Sequence, residues 1–437
     1  MMLGSWIRRT GFWTLDRLSG GITRKHYNDI KCRMNKKTSN DEQIEQLLKH
    51  AVESTPYYKQ RIKEAPLLKI ENFPIITKYD IKKNYGEFQS ERYLNKKIHH
   101  MSTSGSTGTP FTVNQDMNKR KRVLAEIIYF NELGKQKLGD KYIYFRVWND
   151  KTRKSKLESI MQNLIPVDIS KLDKSFLIST TQMLKKNKKI VSALAYASTY
   201  KVLARYLQNE GAVSSEFNIK SLFSSSEILD SKSKEILCNV LGCEVYDRYS
   251  NQENGIIAQT RNNSDIFYVN TPSYYVELLK VDSNEPASKG ELARIIITDL
   301  YNYAMPLIRY DTGDLAIKIE ESSKAQIRFK TVQGRSSDLV YDTNGNQLTP
   351  LTLYFCIWKF EKIMQFQLIQ KSAFEYRIKI NGGQNAYEHA EIIKEFKKAL
   401  GDKANITLEF VHEIPQLSSG KFKDTISQYE YDESNYL

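Results

Sequence analysis

Residues 102–113 read STSGSTGTPFTV, and the architecture of the chain turns on how this stretch is read. Gly105 and Gly108 can take backbone angles closed to other residues. Ser102, Thr103, Ser104, Ser106, Thr107 and Thr109 add six hydroxyls to a run of backbone N–H groups. Such donors, with no bulky side chain between them, suit phosphate oxygens. The stretch is not a Walker A loop, which needs G-x-x-x-x-G-K-[ST] running into a helix. Pro110 follows instead, and "FTV" then alternates as a strand does. Alone, it reads equally well as a flexible Ser/Gly turn. The surrounding chain decides.

At 437 residues there is room for two or three domains with real cores. An apolar fraction of 40% and a charged fraction of 27% are ordinary for a soluble globular protein. No apolar run is long enough to span a bilayer. The start, MMLGSWIRRTGFWTLDRL, lacks signal-peptide form, because Arg8 and Arg9 interrupt its apolar stretch. Cys32, Cys238, Cys243 and Cys356 are scattered without C-x-x-C pairs, so neither a disulfide framework nor a zinc site is expected, and a reducing cytoplasm is.

The net charge of +14 raises the question of nucleic acid. Its lysines, however, are spread along the chain and mixed with acids, and no helix-turn-helix, RNP or zinc-finger pattern occurs. A solvated basic surface is the expectation, and nucleic acid is not. Attraction to anionic substrates or to an anionic membrane face is compatible with the same charge. Trp6, Ile7, Phe12, Trp13, Leu15 and Leu18, with arginines among them, fit either an interfacial helix or a helix packed on the body of the protein.

Helical patterns occupy residues 41–55, 118–134, 198–211 and 231–242, with a helix start near Thr77. Strand patterns occupy 141–148, 219–226 and 243–250, and this alternation predicts parallel α/β layering. From about residue 264 the chain turns β-rich. Near 334 the texture changes again: GRSSDLVYDTNGNQLTP is turn-rich, with TNGN as a hairpin-type turn. Strands at MQFQLIQ and EYRIKIN, a helix over 386–401 and a last strand at ANITLEFVHEI make a separate α+β domain, with 334–345 as linker.

Five spaced elements then fit one family. TSGSTGTP (103–110), YSNQE (249–253), RYDTGD (309–314), GRSSD (334–338) and IPQLSSGKFK (414–423) occur in the order found in the adenylate-forming ligases. The chain resembles in particular the phenylacetate–CoA ligase and CapK-like capsular-polysaccharide branch. That resemblance implies a large α/β N-terminal domain of adenylate-forming type, with layered sheets and helices and a β-rich subdomain, over 1–335. It implies a small α+β C-terminal lid over 336–437.

The roles implied by the resemblance are chemically coherent. Thr103, Ser104, Gly105, Ser106, Thr107 and Gly108 would hold the phosphates of ATP. Tyr249 would stack on adenine, with Ser225, Ser226 and Glu227 of SSSE in the adenine-binding turn. Gln252 stands where a hydroxyl residue usually meets the α-phosphate, and its amide can still donate. Glu253 would be the hard oxygen ligand of Mg²⁺ and a catalytic group. Asp314 would accept both ribose hydroxyls, and Arg335 would reach ribose or phosphate from the hinge. Lys421, delivered by the lid, would neutralise the carboxylate and α-phosphate as they approach. Tyr196, Ala197, Ser198 and Asn251 lie beside matched elements and are candidates for the acid pocket.

The chain also departs from the family pattern. Ser337 replaces the hinge aspartate and leaves Asp338, Ser250 replaces a glycine, and no lysine flanks the phosphate loop, where Thr109 and Phe111 surround Pro110. The resemblance implies ATP and Mg²⁺, a carboxylic acid substrate and an acceptor, with CoA as one candidate, and surface or capsular polysaccharide as the setting. The departures keep two other readings open: a degenerate nucleotide-binding protein, and a basic membrane-surface adaptor.

Overall fold

The computed structural model describes residues 3–437 except 37, 63–67, 103–110, 149–152, 228, 262, 320–326, 334–339, 349–352, 354–355, 358–359, 361, 364, 385–386, 416–424, 430–434 and 436–437. Strands β1 (Ile98–Ser102) and β2 (Thr112–Asp116) form an antiparallel hairpin, and residues 103–110 belong to the connection between them. The hairpin ends meet where that connection begins: Ser102 Oγ and Thr112 Oγ1 lie 2.9 Å apart.

The next strands are β3 (Lys141–Arg146), β4 (Leu164–Asp168), β5 (Ile190–Tyr196), β6 (Ser221–Ser225) and β7 (Glu244–Asn251). They pair in parallel in the order β4-β3-β5-β6-β7. Helices Lys174–Lys186, Ala197–Asn209 and Ser231–Leu241 cross between them, as the sequence alternation predicts. β5 reads IVSALAY and is buried almost throughout, which is what a parallel strand covered on both faces requires. Its core joins Ile143, Leu203, Leu222, Leu237 and Val245.

At β7 the sheet changes character. β8 (Gly255–Thr260) folds back on β7 as an antiparallel hairpin. β9 (Ile266–Val269), β10 (Tyr274–Lys280), β11 (Leu292–Asp299), β12 (Tyr310–Lys318) and β13 (Arg328–Gln333) complete an 11-stranded sheet, running on from β8 in the order β9-β13-β12-β11-β10. This half packs Ile257, Val276, Ile295, Ile297 and Phe329 into a second core. β7 is therefore the strand where the parallel and antiparallel halves meet.

The C-terminal region has its own sheet. After the short hairpin of β14 (Val340–Tyr341) and β15 (Gln347–Leu348) come β16 (Gln365–Gln370), β17 (Glu375–Asn381), β18 (Asn405–Phe410) and β19 (Thr425–Ser427), ordered β18-β17-β16-β19. Ile378, Ile380, Ile392, Phe396 and Leu400 bury the helix His389–Leu400 against it. The TNGN turn forms as expected: Asp342 Oδ1 accepts from the backbone of Asn344 and Asn346, both at 2.8 Å, and Gly345 takes φ +82°. One expectation fails. ANITLEFVHEI is not the last strand, because β19 follows and pairs in parallel with β16. A three-residue strand held only by its neighbour carries no periodicity of its own to read.

The opening helix Leu3–Leu18 packs one face on the body of the protein, the second of the two readings left open for it. Trp13 packs on Tyr27 with ring centroids 5.7 Å apart, and Phe12 meets Trp13 at 5.0 Å. Trp6, Ile7, Leu15 and Leu18 face outward. Among the described residues no helix is long and apolar enough to cross a membrane, and no disulfide joins the cysteines.

Candidate active site

The turn between β7 and β8 is Gln252-Glu253-Asn254, and local chemistry fixes its shape. Asn251 Oδ1 accepts from the backbone N–H of Asn254 at 2.8 Å, a side-chain turn of the kind asparagine favours. Gly255 then takes φ +128°, a conformation L side chains avoid. A Cβ there would also stand 2.7 Å from Glu126 Oε2 and 3.0 Å from the Tyr274 hydroxyl. Glycine is required on both counts.

This turn presents Glu253. Its side chain is only 2% exposed, yet it is a carboxylate, so its oxygens need partners. Tyr310 donates its hydroxyl to Oε1 at 2.8 Å, and Lys78 Nζ lies 3.2 Å from the same oxygen. Among the described residues Oε2 is buried with no hydrogen-bond partner. Burial, followed by the Glu253 charge, pushes the Tyr310 phenol well above its ordinary value, so it remains a donor. A carboxylate with one buried open oxygen is a suitable hard donor for a divalent cation shared with phosphate oxygens.

Lys78 arrives from far upstream by backbone pairing. Ile76 bridges Tyr310 in parallel: its N–H donates to the Arg309 carbonyl at 3.0 Å, and Asp311 N–H donates to the Ile76 carbonyl at 2.8 Å. Thr77 then caps the helix Lys78–Lys83, exchanging bonds with Asp80 in a capping box. Lys78 is thus the first helical residue, with its ammonium 5.6 Å from the Phe111 ring centroid. Phe111 stacks on Tyr310 at 6.2 Å and 14°. A lysine absent from the glycine-rich stretch itself is in this way brought to that stretch's C-terminal end.

Behind the turn lies a buried polar network carried by the helix Met117–Leu133. Lys119 Nζ sits 2.7 Å from Asp299 Oδ2, and Arg122 pairs with Asp29 at 2.5 Å, so these four charges balance. Glu126, fully buried, is the odd member. Burial raises its carboxyl above the ordinary range against the pull of Lys119 and Arg122. The Tyr274 hydroxyl lies 2.8 Å from the Asn254 carbonyl, 3.1 Å from Lys119 Nζ, and 3.2 and 3.3 Å from the Glu126 oxygens. Lys119 donates to it, and its one proton goes to the Asn254 carbonyl, the nearest of its acceptors. Gln115 Nε2 donates to the Glu253 carbonyl at 2.8 Å. The backbone of the turn is therefore held from both sides.

Asp314, on β12, and Tyr249, on β7, meet although three strands lie between theirs in the sheet order. The Tyr249 hydroxyl donates to Asp314 Oδ2 at 2.8 Å, and the Asp314 N–H donates to Thr312 Oγ1 at 3.1 Å. Gly313, at φ +76°, turns the backbone between them. The Tyr249 ring is largely buried and meets Phe329 edge-on at 6.2 Å. Burial, then the Asp314 charge, raises its phenol well above the ordinary value. Asp314 is half-buried.

Ser226 and Glu227 lie just past the end of β6. Ser226 takes φ +72°, unusual for a non-glycine residue. Glu227 Oε2 accepts from Ser198 N–H at 2.9 Å, at the start of the helix Ala197–Asn209. A carboxylate at a helix N-terminus is electrostatically favourable, so this residue also has a structural use.

The structure thus brings Tyr249 of β7 and Asp314 of β12 into contact and places Gln252 and Glu253 in the turn that follows β7. The stretch Thr103, Ser104, Gly105, Ser106, Thr107 and Gly108, the hinge residues Arg335, Ser337 and Asp338, and Lys421 lie outside the described residues. Sequence reasoning passed over Lys78, Tyr310, Gln115, Glu126 and Tyr274. Tyr310 lies inside the RYDTGD element and was available there as an aromatic hydroxyl beside two acids. The others carry no local signal, because strand pairing and burial bring them to the site.

Comparison with known proteins bears on the fold and the relatives of the chain. Residues 340–428 match the family model of the CapK C-terminal domain. The chain is 23% identical over 430 residues to Protein CapK of Staphylococcus aureus, covering 93% of each. It is 22% identical over 332 residues to the phenylacetate-coenzyme A ligase of Escherichia coli (strain K12), covering 72% of this chain and 74% of that one. Among solved structures, 2-hydroxyisobutyryl-CoA ligase in the postadenylation state with 2-HIB-AMP aligns with TM-score 0.68 at 16% identity, over 90% of this chain and 89% of that one. ATP-bound MatB from Rhodopseudomonas palustris aligns with TM-score 0.55 at 13% identity, over 74% and 66%. The fold is that of the adenylate-forming CoA ligases, and the relatives are CapK and the phenylacetate–CoA ligases.

Proposed function

We propose that this chain is an ATP-dependent, AMP-forming carboxylic acid ligase. A carboxylate oxygen attacks the α-phosphorus of ATP, the bond to the β-phosphate bridging oxygen breaks, and pyrophosphate leaves. The acceptor, a thiol such as that of CoA, then attacks the acyl carbon. AMP departs and the thiol proton passes to solvent. The observation that carries this reading is Glu253: a buried carboxylate, one oxygen of which has no partner among the described residues, presented by a clamped turn against Lys78 and Tyr310.

In this reading Glu253 would hold Mg²⁺, which supplies charge neutralisation to the phosphates when bound. Its open oxygen fits a cation that prefers one or two carboxylates and completes its shell with phosphate and water. Lys78 adds a second positive charge at the same place. Asp314 takes the ribose hydroxyls while Tyr249 holds its other oxygen. The residues at 103–108 would cradle the phosphates, Tyr249, Ser226 and Glu227 would flank the adenine, and Arg335 and Lys421 would close over the site from the C-terminal side. Surface or capsular polysaccharide assembly is the setting this reading takes from the likeness to Protein CapK.

The reading is tested by incubating the protein with ATP, Mg²⁺ and hydroxylamine across a panel of aryl, hydroxy and amino acids. Acid-dependent hydroxamate together with AMP release supports it. ATP binding with no AMP from any acid would favour a nucleotide-binding protein without turnover.

A further inference from the structure

The helix Leu3–Leu18 is anchored by one face only. Ser5 and Asp16 are buried and Phe12 and Trp13 are partly buried on that face, while Ile7, Leu15 and Leu18 lie together on the opposite one. Leu18 is 80% exposed. A second helix, Lys156–Gln162, repeats the pattern: Leu157, Ile160 and Met161, at spacing i, i+3, i+4, share one face, and that face is turned outward. None of the residues of this helix is buried. An amphipathic helix normally turns such a face inward, so here something outside the chain is expected to cover it.

The two faces belong to one region. Arg8 Nε donates to the Ile160 carbonyl at 3.0 Å, which ties the end of the short helix to the first turns of the long one. Arg9 Nε donates to the Leu138 carbonyl at 3.0 Å, and Asn163 Nδ2 donates to the Gly139 carbonyl at 2.9 Å, so both helices fasten on the same turn. Trp6, also exposed, adds a side chain suited to a membrane interface.

The charge around this region is mostly positive: Arg153 and Lys154 precede the short helix, Lys156 opens it, and the long helix carries exposed Arg17 beside Arg8 and Arg9, which fasten to the carbonyls above. The acids present are turned to local use. Asp16 accepts from the N–H groups of Thr23 and Arg24, Glu158 accepts from Ser155 N–H, and Asp140 accepts from Lys137 N–H and faces Arg9. Together with the net charge of +14, this leaves an apolar double face with a basic surround.

We infer that the two helices form a docking surface for an anionic membrane. The apolar side chains enter the headgroup–acyl boundary and the arginines and lysines meet anionic lipid headgroups. The charge pattern favours anionic lipid over a second copy of this chain, which would bring the same positive charge to the contact. A chain bound in this way would act on an acid or an acceptor held at the bilayer surface.

The test is co-sedimentation of the full chain with two kinds of vesicle: phosphatidylcholine alone, and phosphatidylcholine with about one-third phosphatidylglycerol. The expected result is binding to the anionic vesicles that weakens at about 0.5 M salt. Ile7→Glu with Leu18→Glu, and separately Leu157→Glu with Met161→Glu, should each lower the partition coefficient at least about tenfold. Every substituted side chain is exposed, and far-UV circular dichroism with the thermal midpoint verifies folding. If one double variant misfolds, the other carries the test. Wild-type protein left in the supernatant would overturn the inference. So would variants that bind as well as wild type, since charge alone would then account for attraction. A concentration-dependent dimer in sedimentation velocity, dissociated by the same substitutions, would reassign the surface to a second copy.

Discussion

Lys78 Nζ lies 3.2 Å from Glu253 Oε1, and the same oxygen accepts the Tyr310 hydroxyl at 2.8 Å. The cation, the donor and the carboxylate come from three separated segments. Glu253 is nearly fully buried while Lys78 keeps 30% exposure, so the lysine retains a route to groups arriving from outside. The pair is both a structural contact and a charge poised at the proposed phosphate site.

Lys78→Met separates those two uses. Loss of the partly exposed ion pair should cost stability by about 1–2 kcal/mol, read by urea denaturation. Loss of the charge should lower acid-dependent AMP release by about two orders of magnitude. Turnover within threefold of wild type, with the same loss of stability, would make Lys78 a structural partner only.

Glu126 is expected to be protonated in the fold, and its isostere tests this. Glu126→Gln keeps a donor towards Tyr274 and should cost less than about 1 kcal/mol at neutral pH. Glu126→Ala leaves Tyr274 and Ile256 N–H without that partner and should cost about 2–4 kcal/mol. The pH dependence has a definite sign. A carboxyl raised in the folded state contributes stability that is complete below its unfolded value and lost as pH rises through its folded value. Wild type should therefore lose stability relative to Glu126→Gln as pH rises above the ordinary carboxylate range. Parallel stability curves for the two proteins would contradict a protonated Glu126.

Gly255→Ala should be among the most damaging single-methyl changes in the chain. The new Cβ meets Glu126 and Tyr274 at 2.7 and 3.0 Å, and φ +128° strains it independently. A loss of about 2–4 kcal/mol is expected in chemical denaturation, together with loss of activity as the Glu253 turn shifts. Gly290→Ala, also at positive φ but with no atom within 4 Å, should cost only the backbone strain.

Asp16 tests the anchoring of the first helix. Its carboxylate is held below the usual value because, against some desolvation, bonds from Thr23 and Arg24 favour the charged form. Its contribution is present above the unfolded pKa and lost as pH falls through the depressed folded value. Asp16→Asn should therefore destabilise by about 1 kcal/mol at pH 7, and by progressively less as pH drops through the region below about 4. An equal difference at both ends of that range would remove the charge from the explanation.

Much of this organisation is legible in the amino acids. The strand–helix alternation before residue 250, the Thr77 cap and the Asp342 turn all depend on nearest neighbours, and the corresponding structure follows them. What is not legible depends on pairing over long separations. NKRKRVLAEIIYFNELG reads as an ordinary charged helix, yet its Lys119, Arg122 and Glu126 are buried because Asp299, Asp29 and Tyr274 return from elsewhere to meet them. Lys78 reaches Glu253 only because Ile76 pairs with β12. The outward apolar face of Lys156–Gln162 has amphipathic spacing in the sequence, and only the fold reveals which way it points.

The most direct test of the account is acid-dependent exchange of labelled pyrophosphate into ATP, run with wild type, Glu253→Gln and Lys421→Ala. The account predicts Mg²⁺-dependent exchange with at least one carboxylic acid. Each variant should reduce it by about a hundredfold or more while remaining folded. Exchange that survives Glu253→Gln undiminished would contradict the site. Nucleotide binding with no exchange under any acid would contradict the adenylation chemistry itself.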